Sequence, residues 1–194
     1  MNAFATNEPR ELSRSGKRKI SMPRSIILLG LPTSGKTTYG KLLASKLNYT
    51  FIDTDHLIEN AYEAQMGQHF TCRQICLNEG LIKFRQLEKQ QIASLNISKN
   101  SVISTGGGTV EDRGNVEILQ KFGQLIYLKT PLEVLWKRIC VRGLPSYLDP
   151  INPEESFYKN AKRLIPLFEN AANHIIETTH LSEQELLTAI LKRL

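Results

Sequence analysis

Short apolar runs alternate along this chain with longer stretches whose apolar residues recur at helical spacing. Five runs read as strands, at 25–29, 49–52, 101–104, 125–128 and 174–176. Helical spacing marks 38–47, 78–95, 113–121, 132–140, 154–171 and 182–193. In the first of these helices Leu42, Leu43 and Leu47 fall on one side. Such alternation builds βαβ units, and so a parallel sheet with helices on both faces. Pro131 and Pro153 suit the first position of a helix, where the missing N–H costs nothing. Ser182 with Glu185 three residues on reads as a capping box. The chain shows no internal repeat and no second domain. Ligands of open parallel sheets bind beyond the carboxyl ends of the strands, so the segments after each strand carry the argument from here.

Composition narrows the class. The 194 residues suit one domain with a substantial core. The absence of a membrane-length apolar run or a signal-peptide core predicts a cytoplasmic protein that keeps clear of membranes. Of the net charge of +6, residues 1–24 hold +4, from Arg10, Arg14, Lys17, Arg18, Lys19 and Arg24 against Glu8 and Glu11. This basic segment lacks periodicity and is rich in Ser, Asn and Arg, so it reads as disordered. Met22 stands just before the first strand, and we take the segment as an incidental extension, not a nucleic-acid-binding arm. Cys72, Cys76 and Cys140 form no ligand-like group and are expected as reduced thiols. His56, His69, His174 and His180 have no mutual spacing that suggests a metal site, and Trp136 is expected to pack a helix.

The chemistry starts at Gly30-Leu31-Pro32-Thr33-Ser34-Gly35-Lys36-Thr37, between a buried strand and a helix. A glycine-rich turn feeding a helix N-terminus aims successive N–H groups, and the positive end of the helix dipole, at an anion. Lys36 would reach the β- and γ-phosphates of a nucleotide, and Thr37 would offer its hydroxyl to Mg²⁺. After the second strand, Asp53 and Asp55 stand two apart on what reads as an extended segment, pointing the same way. They suit a metal ion and a proton acceptor; equally, the segment could be a solvated turn with Asp55 capping a helix that begins at His56. Gly106-Gly107-Gly108, after the third strand, permits close backbone approach to an anion, or is simply a flexible turn. Arginine forks suited to carboxylate or phosphate occur at Arg85, Arg138, Arg142 and Arg163. No Asn-Lys-x-Asp motif is present, and the strand at 125–128 ends without a metal-binding aspartate, which argues against GTPases and motor ATPases.

Taken in order, the phosphate loop, Asp53-x-Asp55, Phe84-Arg85-x-x-Glu88, the triple glycine and Arg163 before Pro166-Leu167-Phe168 resemble the shikimate kinase family, from about residue 25 to the C-terminus. The resemblance implies a three-layer α/β/α fold of the P-loop, nucleoside-monophosphate-kinase-like type, with a five-stranded parallel sheet and a short lid. It implies one kinase domain over 25–194, with a substrate-binding subdomain at about 55–95 and the lid at about 139–150. The activity implied is ATP-dependent phosphorylation of the 3-hydroxyl of shikimate, with Mg²⁺, by a monomer that needs no nucleic acid. Lys36, Asp55 and Arg142 would be catalytic. ATP would lie on residues 30–37, Thr38, Arg138, Arg142 and Thr178. Asp55, Arg85, Gly107, Gly108 and Arg163 would bind shikimate, while Thr37 and Asp53 would hold the metal. Related kinases of gluconate or nucleotides, and a nucleotide-binding relative without turnover, are the alternatives. Thr33 stands where the family usually has glycine, which predicts a stiffer loop. Arg163 lies three residues before Pro166, where the family usually places its arginine two before.

Overall fold

The computed structural model describes residues 25–97 and 100–194, so the basic extension at 1–24 lies outside the described residues. Five parallel strands, β1 (Ser25–Leu29), β2 (Thr50–Asp53), β3 (Ser101–Ser104), β4 (Gly123–Lys129) and β5 (His174–Glu177), form one sheet in the order β2-β3-β1-β4-β5. The helices are α1 (Lys36–Leu47), α2 (Thr54–Met66), α3 (Cys72–Ala93), α4 (Arg113–Phe122), α5 (Leu132–Arg142), α6 (Pro153–Ala171) and α7 (Glu183–Leu191). A 3₁₀ turn spans Thr109–Glu111.

The strands alternate their side chains between two cores, as the period of two demands. Ile26 and Leu28 pack with Leu43 of α1 and with Leu186, Leu187 and Ile190 of α7. Leu42 and Leu47 press on the same cluster, so the expected leucine side of α1 is the one that faces the sheet. Ile27 and Leu29 point to the other face, among Leu119, Leu135, Ile139, Phe157, Leu164 and Phe168 of α4, α5 and α6. Helices on both faces of a parallel sheet give the three layers expected from the sequence. Trp136 stacks on Phe157 with ring centroids 5.5 Å apart, tying α5 to α6.

The largest departure from the sequence pattern lies between β2 and residue 78, where helical spacing marks no element. Two helices occupy that stretch. They share a small core of their own, Ile58 and Tyr62 of α2 against Ile75 of α3, with Phe70, Phe84 and Leu87 at its margin. Thr71 and Gln74 form a capping box that starts α3. Gly80, at φ 80° and ψ 160°, breaks α3 in its middle, a conformation glycine adopts at little cost. Pro131 proves to be the N-cap of α5 and not its first residue, whereas Pro153 starts α6 and Ser182 with Glu185 caps α7, as expected.

Register positions the site. Asp53 lies opposite Ser104, and Ser104 opposite Leu28, so the ends of β2 and β3 meet the start of the loop after β1.

Candidate active site

The phosphate loop is a backbone device. Gly30 (φ 153°) and Gly35 (φ 95°) take the turns, and Gly35 is the N-cap of α1. Thr33 sits at φ 63°, in the left-handed region where a β-branched residue is strained by about 1–2 kcal/mol. Two contacts hold it there: its hydroxyl donates to the Leu135 carbonyl at 3.3 Å, and Arg138 Nη1 donates to the Thr33 carbonyl at 3.0 Å. The Lys36 ammonium folds back on the loop, donating to the carbonyls of Gly30 at 2.8 Å and Leu31 at 3.0 Å. Burial pulls the pKa of Lys36 down to about 8, against the opposing pull of Asp55 and Asp53. Ser34 Oγ is buried without a hydrogen-bond partner among the described residues. A buried polar atom of that kind calls for a partner, and a phosphate oxygen held by the loop would fit it.

Beside the loop, Thr37 Oγ1 donates to Asp53 Oδ2 at 2.8 Å and lies 3.3 Å from Ser104 Oγ. A hydroxyl and a carboxylate so joined form an oxygen donor set suited to a hard cation such as Mg²⁺. The two aspartates do not share one extended segment. Asp53 ends β2 and caps α2, accepting the Asp55 N–H at 3.1 Å, and Asp55 sits in the first turn of the helix, which begins at Thr54 and not at His56. The turn aims Asp55 into the cavity, where burial and the neighbouring Asp53 push its pKa up to about 6, with Lys36 opposing and Glu88 and Glu59 adding to the rise. A carboxylate poised near neutrality suits a general base.

The triple glycine is required by its neighbours. A Cβ on Gly106 would lie 2.6 Å from Glu88 Oε1 and 3.0 Å from Asp55 Oδ1. One on Gly107 would meet Pro32 of the phosphate loop at 2.7 Å, and one on Gly108 would collide with the Arg85 guanidinium. The segment thus wedges between the loop and Arg85. Arg85 Nη1 donates to the buried Glu88 at 2.8 Å, and Glu88 also accepts from Thr109 Oγ1 at 2.6 Å. Arg163 Nη2 donates to Asn160 Oδ1 at 2.7 Å.

A single cavity of about 710 Å³ joins these groups. Pro32, Thr33, Gly35, Lys36, Thr37 and Thr38 line one side, with Arg142 from the end of α5. Asp55, Arg85, Gly107, Gly108 and Arg163 line the other. Gly30, Leu31, Ser34 and Asp53 are not among the cavity's lining residues. Arg138 and Thr178 are not on it: Arg138 braces the loop through Thr33, and Thr178 donates to Thr130 Oγ1 at 2.8 Å beyond β4 and β5. Sequence reasoning passed over Arg73, Glu111, Tyr147 and Lys159, all of which line the cavity. The only signal for Glu111 was its place three residues after the glycine run.

Residues 32–194 match the sequence model of the family described as Shikimate kinase. The chain belongs to the shikimate kinase family. A shikimate kinase of Thermodesulfovibrio yellowstonii is 32% identical over 169 residues, which cover 87% of this chain and 94% of that one. One from Azobacteroides pseudotrichonymphae is 36% identical over 179 residues, covering 88% and 99%. Among solved structures, a shikimate kinase from Acinetobacter baumannii in complex with shikimate superposes with a TM-score of 0.77 at 33% identity, covering 89% of this chain and 92% of that one. The nucleoside-monophosphate-kinase-like architecture expected of the family is the one the sheet order displays.

Proposed function

We infer that this chain is a shikimate kinase, transferring the γ-phosphoryl group of ATP to the 3-hydroxyl of shikimate to give shikimate 3-phosphate and ADP. The observation that carries the reading is the single cavity, in which an anion cradle faces a pair of arginines with one poised carboxylate between them. A small acidic polyol needs a guanidinium fork for its carboxylate and a base for its reacting hydroxyl, and the cavity offers both.

In this reading Arg85 and Arg163 receive the substrate carboxylate, with the backbone of Gly107 and Gly108 alongside, and Asp55 orients the hydroxyl and takes its proton. Lys36 leaves the loop carbonyls for the β- and γ-phosphates, and Arg142 brings positive charge from the lid at about 139–150. Phosphoryl transfer asks mainly for such positioning and for charge around the equatorial oxygens. Thr37 and Asp53 would hold Mg²⁺, which when bound neutralises phosphate charge. Helices α2 and α3, with their separate core, would serve as the substrate subdomain. Arg138 and Thr178 would flank the adenine. We take the enzyme as a cytoplasmic monomer; no helix among the described residues is long and apolar enough to cross a membrane.

The test is a coupled ADP-release assay with ATP and Mg²⁺. Turnover should appear with shikimate and not with gluconate or nucleoside monophosphates; a rate indifferent to shikimate would refute the reading.

A further inference from the structure

The two arginines assigned to the substrate acid are already bridged by a carboxylate of the protein itself. Glu111 ends the 3₁₀ turn after the glycine run. Its Oε1 accepts from Arg85 Nη2 at 3.1 Å, and its Oε2 accepts from Arg163 Nη1 at 2.8 Å. The sequence brings these three together from well-separated segments, and the bridge closes across the cavity wall.

Each arginine has an anchor besides Glu111. Arg85 is anchored through its other terminal nitrogen to Glu88, which is buried and fixed in turn by Thr109. Arg163 is anchored through its other terminal nitrogen to Asn160. Glu111 takes the donor edges that these anchors leave over. An incoming carboxylate that bridges the pair through the same terminal nitrogens would compete with Glu111 for those edges.

Charge points the same way. With Glu88 and Glu111 in place, the two arginines are neutralised. Without Glu111 the fork has one unmatched positive charge, which fits one carboxylate. The phenol of Tyr147 also faces the fork, its pKa pushed up to about 12 by burial, with Arg85 opposing and Glu111 adding to the rise. It is therefore neutral at working pH and leaves this balance unchanged.

Resting on the reading that Arg85 and Arg163 bind the substrate acid, we propose that Glu111 is an internal stand-in for the substrate carboxylate. An acceptor must displace it to enter, and an acceptor without a negative charge gains nothing by doing so. Glu111 thus lowers affinity for the acid, and a neutral polyol that leaves the fork alone is indifferent to it.

The experiment is steady-state kinetics of Glu111→Gln with shikimate and with its uncharged methyl ester, alongside Arg85→Gln and Arg163→Gln, with melting curves to verify folding. Glu111→Gln should lower KM for shikimate by about two- to fivefold, the range for part-exposed ion pairs. KM for the ester should stay put, and acetate, used as a probe anion, should become a stronger competitor of shikimate. Glu111→Asp, which keeps the charge, should remain near wild type in acetate inhibition. If either arginine variant raises KM for shikimate while Glu111→Gln raises it too or leaves it unchanged, Glu111 is a support for the fork and the stand-in is overturned. If neither arginine variant alters KM, the acid site itself is wrong and the proposal falls with it.

Discussion

The two sides of the cavity are built on opposite plans. The phosphate side is one continuous strand, turn and helix whose backbone makes the site. Its glycines are fixed by φ angles of 153° and 95° at Gly30 and Gly35, and the buried Ser34 hydroxyl has no hydrogen-bond partner among the described residues. The acid side is assembled from side chains on α3, on α6 and on the segment after β3, and its charges are already paired with one another. The first side waits for its ligand with an unmet need. The second must give up internal partners to take one. A backbone site costs strain in the fold, whereas a side-chain site costs competition at the moment of binding.

Asp55 lies on the seam between the sides, and its replacement should have the largest effect. Asp55→Asn should cut kcat by roughly 10²–10⁴ if Asp55 takes the proton of the acceptor hydroxyl. A near-normal rate would leave Asp55 a binding residue only. The same substitution should stabilise the fold. The carboxyl pKa is raised from 3.8 to about 6, so folding favours the protonated form and stability is lost as pH rises through that window. At pH 7.5 the variant should gain no more than about 2 kcal/mol, or about 4–8 °C in Tm, and at pH 4 almost nothing. Melting curves at the two pH values check this.

Glycine substitutions should separate the two plans. Gly35→Ala forces a side chain onto a left-handed residue and against the Tyr39 ring at 2.7 Å. It should raise KM for ATP by about tenfold or more, the size of 1–2 kcal/mol of backbone strain, with little change for shikimate. Gly108→Ala has an ordinary backbone and only pushes the Arg85 guanidinium aside. It should do the converse, raising KM for shikimate and sparing ATP. If both variants move both constants equally, the two sides are not separable in the way described.

The pH profile sharpens the contrast again. Asp55 must be ionised to act, so kcat/KM for shikimate should fall below pH 6, about tenfold per unit at the limit, and the limb should vanish in Asp55→Asn. Lys36 must be protonated to meet phosphate, so kcat/KM for ATP should fall above about pH 8. In kcat that upper limb should move to higher pH, because bound phosphate favours the ammonium. A kcat and kcat/KM that share one upper limb would remove Lys36 from phosphate binding.

How far the sequence could be read follows the same division. The sheet, its five strands and most of the helices were legible, because β1 and β4 are buried on both faces and the packed helices carry one apolar side. Helix α2 was legible only as a possible start at His56, since Ile58 and Tyr62 are its only buried apolar residues and they pack on α3 and Phe70. The phosphate loop was legible in full because its parts are contiguous. Arg85 and Arg163 drew notice as residue types, but what holds them did not. Glu111 lies 52 residues from Arg163 and 26 from Arg85, and nothing near it in the chain says which cations it will meet.

The smallest effect belongs to Thr33, the one loop position where the backbone plan is strained without glycine. Its φ of 63° is costly for a β-branched residue, and the hydroxyl bond to Leu135, at 3.3 Å, is a long one. Thr33→Gly and Thr33→Val both lose that hydroxyl, but only the glycine relieves the strain. The Arg138 bond to the Thr33 carbonyl is a backbone contact and should survive in both. The glycine variant should therefore be more stable than the valine variant by about 1 kcal/mol, or about 2–4 °C in Tm, after allowance for the entropy glycine adds to the unfolded chain. Its KM for ATP should stay within about twofold of wild type, a change of under half a kcal/mol. Should valine melt at or above glycine, the strain at residue 33 is not what limits the loop.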